Sequence, residues 1–142
     1  MTVKRQILTP KSVPPPPPGR YSHVAIVEAP RLMFVSGQIS VDANGKVVGE
    51  GDFKRQFTQV YQNLGAILGE YGAGFGDVVK FTTYLVNATD LLRFHELRAR
   101  LYNRLYPKGD YPTNTLLVVD RLVLEGLLLE IEAVVALDGA RR

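Results

Sequence analysis

Between Phe57 and Tyr71 the apolar residues stand at Phe57, Val60, Tyr61, Leu64, Ile67, Leu68 and Tyr71. Steps of three and four bring them onto one face of a helix, and a face that wide has to be buried against another layer. The flanking segments are rich in Val, Ile, Phe and Thr, residues that suit a pleated, half-buried surface, so the partner layer is a sheet. Lys4–Leu8 reads as a short edge strand. His23–Glu28 and Leu32–Ile39, separated by Ala29-Pro30-Arg31, read as two strands around a tight turn, where a meander begins. Asn44-Gly45 marks the next turn, Asp52 precedes the helix, and Gly72, Gly74 and Gly76 end it.

Val78–Val86 is then a strand with Val79, Phe81, Thr83 and Leu85 on one face and Lys80, Thr82 and Tyr84 on the other. Thr89 or Asp90 can cap a second helix from Leu91 to Tyr106, whose inner face is read as Phe94, Leu97, Leu101 and Leu105, with Pro107 and Gly109 as its stop. Strands near Asn114–Val119 and Leu127–Ala136 follow. The order strand, strand, strand, helix, strand, helix, strand, strand predicts an α+β fold with the helices layered on one face of the sheet.

The 142 residues suit one domain, 1–142, and the 46% hydrophobic and 22% charged content suits a packed core rather than disorder. The chain has no cysteine, which excludes disulfides, thiolate zinc sites and a cysteine nucleophile. No apolar run of about 18 residues is present, so no membrane span is expected and the cytoplasm is the expected compartment. The net charge of +3 comes from scattered basic residues, two of them the terminal Arg141 and Arg142. Arg93, Arg98, Arg100 and Arg104 share the second helix and are read as a solvated face, so no nucleic-acid partner is expected. Pro14–Pro18 must be extended, and is read as a stiff connector that delivers Gly19, Arg20 and Tyr21 to a fixed place rather than as a ligand for a polyproline-reading module.

No metal site is expected, because His23 and His95 lack a ligand spacing. No phosphate loop is expected either, because Gly72-Ala73-Gly74-Phe75-Gly76 follows a helix instead of opening one. Ser36 lacks the Gly-x-Ser-x-Gly surroundings of an activated serine.

Gly19-Arg20-Tyr21-Ser22-His23, Phe34-Val35-Ser36-Gly37-Gln38-Ile39 and Leu129-Glu130-Ile131-Glu132-Ala133-Val134 recur in the order and spacing of three motifs of one family, with Asp77-Val78-Val79-Lys80 at a matching joint. On these motifs the sequence resembles the reactive intermediate deaminase (RidA/YjgF) superfamily from about Tyr21 to Ala136. The resemblance implies a chorismate-mutase-like fold, a homotrimer with small-molecule clefts between subunits, and hydrolysis of 2-imino or 2-enamino acids to 2-oxo acids and ammonia. It implies no metal and no organic cofactor. An arginine fork would clamp the substrate carboxylate and a glutamate would position the attacking water. Glu130 matches that glutamate, Ser36 and Gly37 the wall that contacts the ligand, and Tyr21 the aromatic that closes the pocket.

The resemblance fails at the arginine, where Pro112-Thr113-Asn114-Thr115 places Asn114 in its position. Losing a charge-assisted bidentate contact weakens carboxylate binding by about 2–4 kcal/mol, roughly 30-fold to 1,000-fold. His95 stands where an asparagine touches the ligand in the family, and adds a group able to donate, accept or shuttle a proton near neutrality, alongside the reading of a plain surface or interface residue. Arg98, one turn on, is a candidate replacement for the missing charge, as is Arg20. His23 is read as structural, and Glu132 as a salt-bridge or hydrogen-bonding partner rather than the catalytic carboxylate. The expected function is a Rid-type imine or enamine deaminase with altered specificity. The competing reading is a non-catalytic trimer that binds a metabolite or partner, and a ribonuclease has no local signature.

Overall fold

The computed structural model describes residues 2–139; Met1 and residues 140–142, the terminal arginines included, lie outside the described residues. The strands are β1 (Lys4–Leu8), β2 (Val24–Glu28), β3 (Arg31–Ile39), β4 (Val78–Leu85), β5 (Thr113–Val118) and β6 (Leu129–Leu137), with helices α1 (Phe53–Glu70) and α2 (Leu91–Leu105) before and after β4. Short 3-10 turns at Phe75–Asp77 and Ala88–Asp90 lead into β4 and α2. The main sheet has the order β3-β6-β4-β5, antiparallel except for the parallel β4–β5 pair, and β1 and β2 form a separate antiparallel ribbon. This is the expected α+β arrangement, with both helices feeding one core against the sheet: Phe57, Val60 and Leu64 of α1 and Phe94 and Tyr102 of α2 join Val35, Phe81, Ile131 and Val135. Among the described residues no helix is long and apolar enough to cross a membrane.

Local chemistry sets the helix starts differently. At α1 the Asp52 carboxylate accepts from the Arg55 backbone N–H at 3.0 Å, an ordinary N-cap. At α2 neither Thr89 nor Asp90 supplies the expected side-chain cap; Asp90 is itself in a helical conformation and the 3-10 turn carries the chain into the helix. The turn between β3 and α1 does fall at Asn44-Gly45, where Asp42 Oδ1 accepts from the backbone N–H of Asn44 and Lys46 and Gly45 takes a φ of 74°.

Two expectations are corrected. β2 and β3 do not pair as a meander: β2 is taken by β1 and β3 by β6. Arg5 ties the ribbon to the start of β4: its guanidinium donates to Gly76 O at 2.6 Å and Val78 O at 3.0 Å and meets Asp110 Oδ2 at 2.9 Å. The lead-in to β2 runs beside β5, with Ser22 bridging Thr113 in parallel and its N–H donating to Pro112 O at 3.2 Å. The inner line of α2 is also rotated from the leucines: Phe94, Arg98 and Tyr102 are the fully buried positions, while Leu97, Leu101 and Leu105 are half-buried at its flank. The helix turns its aromatic residues into the core, where Phe94 meets Phe57 edge-on and Tyr102 stacks on Tyr111. Arg98 is carried inward with them, so the arginines of α2 are not all a solvated face.

Candidate active site

The face of the sheet turned away from the helices carries the first cluster. The β3–β6 register shifts between Val35 and Gln38, so Ser36 and Gly37 form a bulge. Glu130, on β6 beside Ile39 and Tyr84, lays its carboxyl group over Gly37 so closely that a Cβ there would overlap it. That contact explains in physical terms why the bulge carries glycine. Burial holds the Glu130 carboxyl above its usual range, and Glu132, two positions along the same strand, pushes in the same direction. Tyr84 faces Glu132, and its phenol is raised by desolvation and then by that carboxylate. Ser36, Lys80, Thr82, Glu132 and Phe34 border a recess of about 380 Å³. Glu132 borders that recess and forms no ion pair with a described residue, but it accepts a hydrogen bond from the Tyr84 phenol, which is the hydrogen-bonding half of the expectation for it.

The second cluster gathers around the start of β5. Tyr21, His23, Lys80, Thr113 and Asn114 border a recess of about 470 Å³. The Pro14–Pro18 run has no regular structure and is mostly exposed, and it helps fix this wall: the His23 ring bonds Pro14 O through Nε2 at 2.9 Å and meets the Tyr21 ring edge-on at 5.8 Å. Asn114 accepts from the buried Thr83 hydroxyl at 2.9 Å, which locks the amide. Thr83 was missed as a site residue, although the sequence pattern put this polar side chain on the core face of β4, where it needs a partner.

Arg98 is 1% exposed. Its guanidinium lies 4.8 Å from the Phe94 ring centroid and 5.8 Å from that of Tyr102, and its Nη2 donates to His95 Nδ1 at 3.1 Å. Its Nε and Nη1 are buried without partners. Burial lowers the pKa of Arg98, while the Tyr102 and Tyr61 phenols act against it. With Nδ1 accepting, neutral His95 carries its proton on Nε2. Burial, then Arg20 and Arg98, depress its pKa to about 4. The expectation of a histidine titrating near neutrality is thus corrected: two neighbouring cations and partial desolvation keep His95 uncharged at pH 7.

Within one chain the Asn114 amide and the Glu130 carboxyl lie on opposite sides of the sheet. Asn114 lies opposite Phe81 and bonds Thr83, on the helix side of the sheet, whereas Glu130 lies opposite Tyr84 on the other side. Lys80 borders both recesses.

The family model for Endoribonuclease L-PSP matches residues 12–137. The chain is 34% identical over 131 residues to a RutC family protein of Pyrococcus abyssi, across 92% of this chain and 95% of that one. It is 31% identical over 137 residues to the 2-iminobutanoate/2-iminopropanoate deaminase of Homo sapiens, across 96% and 92% of the two chains. Its structure is similar to that of the Rid family protein YyfB of Yersinia pestis, with a TM-score of 0.81 and 32% identity over 94% of this chain and 98% of that one. The architecture is the chorismate-mutase-like α+β fold of the Rid proteins. The chain belongs to the RidA/YjgF superfamily, within the family that the Endoribonuclease L-PSP model describes.

Proposed function

We propose that this protein hydrolyses small imines or enamines in clefts formed between copies of itself, three to an assembly, with Glu130 handling the water. The observation that carries this reading is Glu130 itself: a carboxyl group seated on the Ser36-Gly37 bulge, partly desolvated, and held above the ordinary carboxylate range. Such a group can take a proton from water and return it, which is what the reaction demands. Water adds to the imine carbon as Glu130 accepts one of its protons. That proton passes to nitrogen to give a carbinolamine; Glu130 then moves the proton of the new hydroxyl to the same nitrogen, the carbon–nitrogen bond breaks as the carbon–oxygen double bond forms, and ammonia leaves behind a carbonyl compound.

The separation of Glu130 from the Tyr21–Asn114 recess supports placing the site between subunits, where one copy presents its sheet face to the β5 edge of the next. Asn114 in place of a guanidinium supports a specificity unlike that of relatives with a strand-borne arginine, and it is also the observation that favours the second reading, a non-catalytic trimer that binds a metabolite.

The test is ammonia and 2-oxo acid release from imino acids generated in situ by an amino-acid oxidase. Wild type is expected to accelerate release, and Glu130→Ala to lower turnover by about 10²–10⁴-fold, the usual contribution of a positioned acid–base group, without loss of assembly. No acceleration by wild type, with saturable binding of the 2-oxo acid, makes the binding protein the correct reading.

A further inference from the structure

The helix layer carries a groove that the proposed reaction does not use. It lies between α1 and α2 and encloses about 550 Å³, more than either recess at the sheet. Its floor is a row of rings: the Phe57 and Tyr61 centroids stand 4.7 Å apart, those of Tyr61 and Phe75 6.0 Å apart, and Leu97 and Leu101 form the wall on α2. Phe75, Leu97 and Leu101 are half-buried, so part of their apolar surface is left open to the groove. A concave, mostly apolar site of this volume with a few charges at its edge is what a small ligand needs.

The rim is basic on both sides, with Lys54 on α1 and Arg100 and Arg104, one turn apart, on α2. All three are exposed, and no aspartate or glutamate lines the groove. Glu96, exposed one turn before Arg100, pairs with none of them, since the ion pairs among the described residues are Lys4–Glu28 and Arg5–Asp110. A merely solvated helix face gains from acids interleaved with bases at these spacings, and this rim has bases only. The shape narrows the occupant further. The lining runs along α1 from Lys54 to Gly65, which at 1.5 Å per residue is about 16 Å. A helix about 10 Å across laid over that length occupies roughly 1,250 Å³, too much for the groove to seat, whereas a single unbranched chain fits.

We infer that the groove between α1 and α2 binds a small amphipathic anion, an unbranched apolar chain lying on Phe57, Tyr61 and Phe75 with its acidic head at Arg100 and Arg104. The site is on the helix layer, across the sheet from the Glu130 carboxyl, and it stands whether or not the protein is a hydrolase.

The experiment is calorimetric titration of the protein with decanoate below its micelle concentration, beside decyltrimethylammonium, which keeps the chain and inverts the charge of the head. Wild type is expected to bind decanoate more tightly than the cation. The double variant Arg100→Gln, Arg104→Gln, which changes only exposed side chains, is expected to weaken decanoate binding by roughly 3-fold to 30-fold without weakening that of the cation. Nitrogen-15 amide shifts caused by decanoate are expected at Gly65, Leu97 and Leu101. Leu101→Gln, which makes the wall polar, is expected to weaken both ions together. Equal affinity of wild type for the two ions, decanoate binding unchanged in the double variant, or shifts centred on Gly37, Asn114 or Phe34 overturns the assignment. Binding of an acidic amphipathic peptide with none of decanoate overturns it in favour of a protein partner.

Discussion

Glu130 and Glu132 face the same way from β6, and the Glu132 carboxylate, after burial, makes Glu130 harder to ionise. A base that must be ionised to act, with its pKa raised by burial and by a neighbouring negative charge, gives an acid limb of turnover above the ordinary carboxylate range. The sign for stability is opposite to that of a salt-bridged carboxylate: the folded state favours the protonated form, so Glu130 contributes stability at low pH that is lost as pH rises past the unfolded value into the raised one. Glu132→Gln is expected to move the acid limb of kcat/KM to lower pH, since it removes the neighbouring charge and leaves burial in place. An unmoved limb would show that Glu130 does not set it. Glu130, Gly37 and Tyr21 could be singled out because short motifs carry them, and the close approach of the Glu130 carboxyl to Gly37 is what the structure adds. Arg98 was only half legible: its spacing from Phe94 and Tyr102 puts it on their line, but leucines at neighbouring positions offered an equally good apolar stripe, and sequence alone does not say which stripe turns inward. The His95 bond to Arg98 depends on that rotation and was hidden with it.

Among the elements, α1 owes its seat to a residue outside its apolar pattern. Gln56 is 0% exposed; its amide nitrogen donates to Gly49 O at 3.1 Å and Gly126 O at 2.7 Å, and its oxygen accepts from Leu128 N at 2.8 Å. One side chain therefore joins the helix to the loop before it and to the segment that leads into β6. Gln56→Leu keeps much of the volume but strands three backbone groups, and is expected to cost about 3 kcal/mol in urea unfolding with an unchanged m-value. A loss below about 1 kcal/mol would mean that water replaces the amide. Every strand and both helices were legible in the sequence, because periodicity and turn residues are local signals. Pairing was not: the short link Ala29-Pro30-Arg31 between β2 and β3 suggested a hairpin, whereas distant contacts, those of Arg5 with Gly76, Val78 and Asp110 and of Ser22 with Pro112 and Thr113, hold the ribbon elsewhere.

At the scale of the whole molecule, one face of the main sheet is covered by helices and the other is bare. Phe34 is 75% exposed there, beside Leu32 at 53% on the same strand face. On the proposed reading this face meets another copy, and Phe34→Glu is expected to shift the assembly to monomers in sedimentation equilibrium and to reduce turnover in parallel. Full turnover by a monomeric variant would place the site within one chain after all. The expected assembly rests on the family resemblance alone, since no periodicity records which exposed face a second copy would cover.

The position of β6 has a further consequence. It is the strand between β3 and β4, pairing Arg31 with Leu137 and Val78 with Val135, yet it is the last of the described strands in the chain. During synthesis β3, β4 and both helices leave the ribosome with no ladder between them, and their apolar faces stay open until residues 129–137 follow. The sheet cannot grow outward from a completed hairpin; it closes in a single late step, with contacts about a hundred residues apart. A newborn chain of this protein is therefore most prone to aggregate just before that step, and a ribosome that stalls before residue 129 releases a product with no central strand.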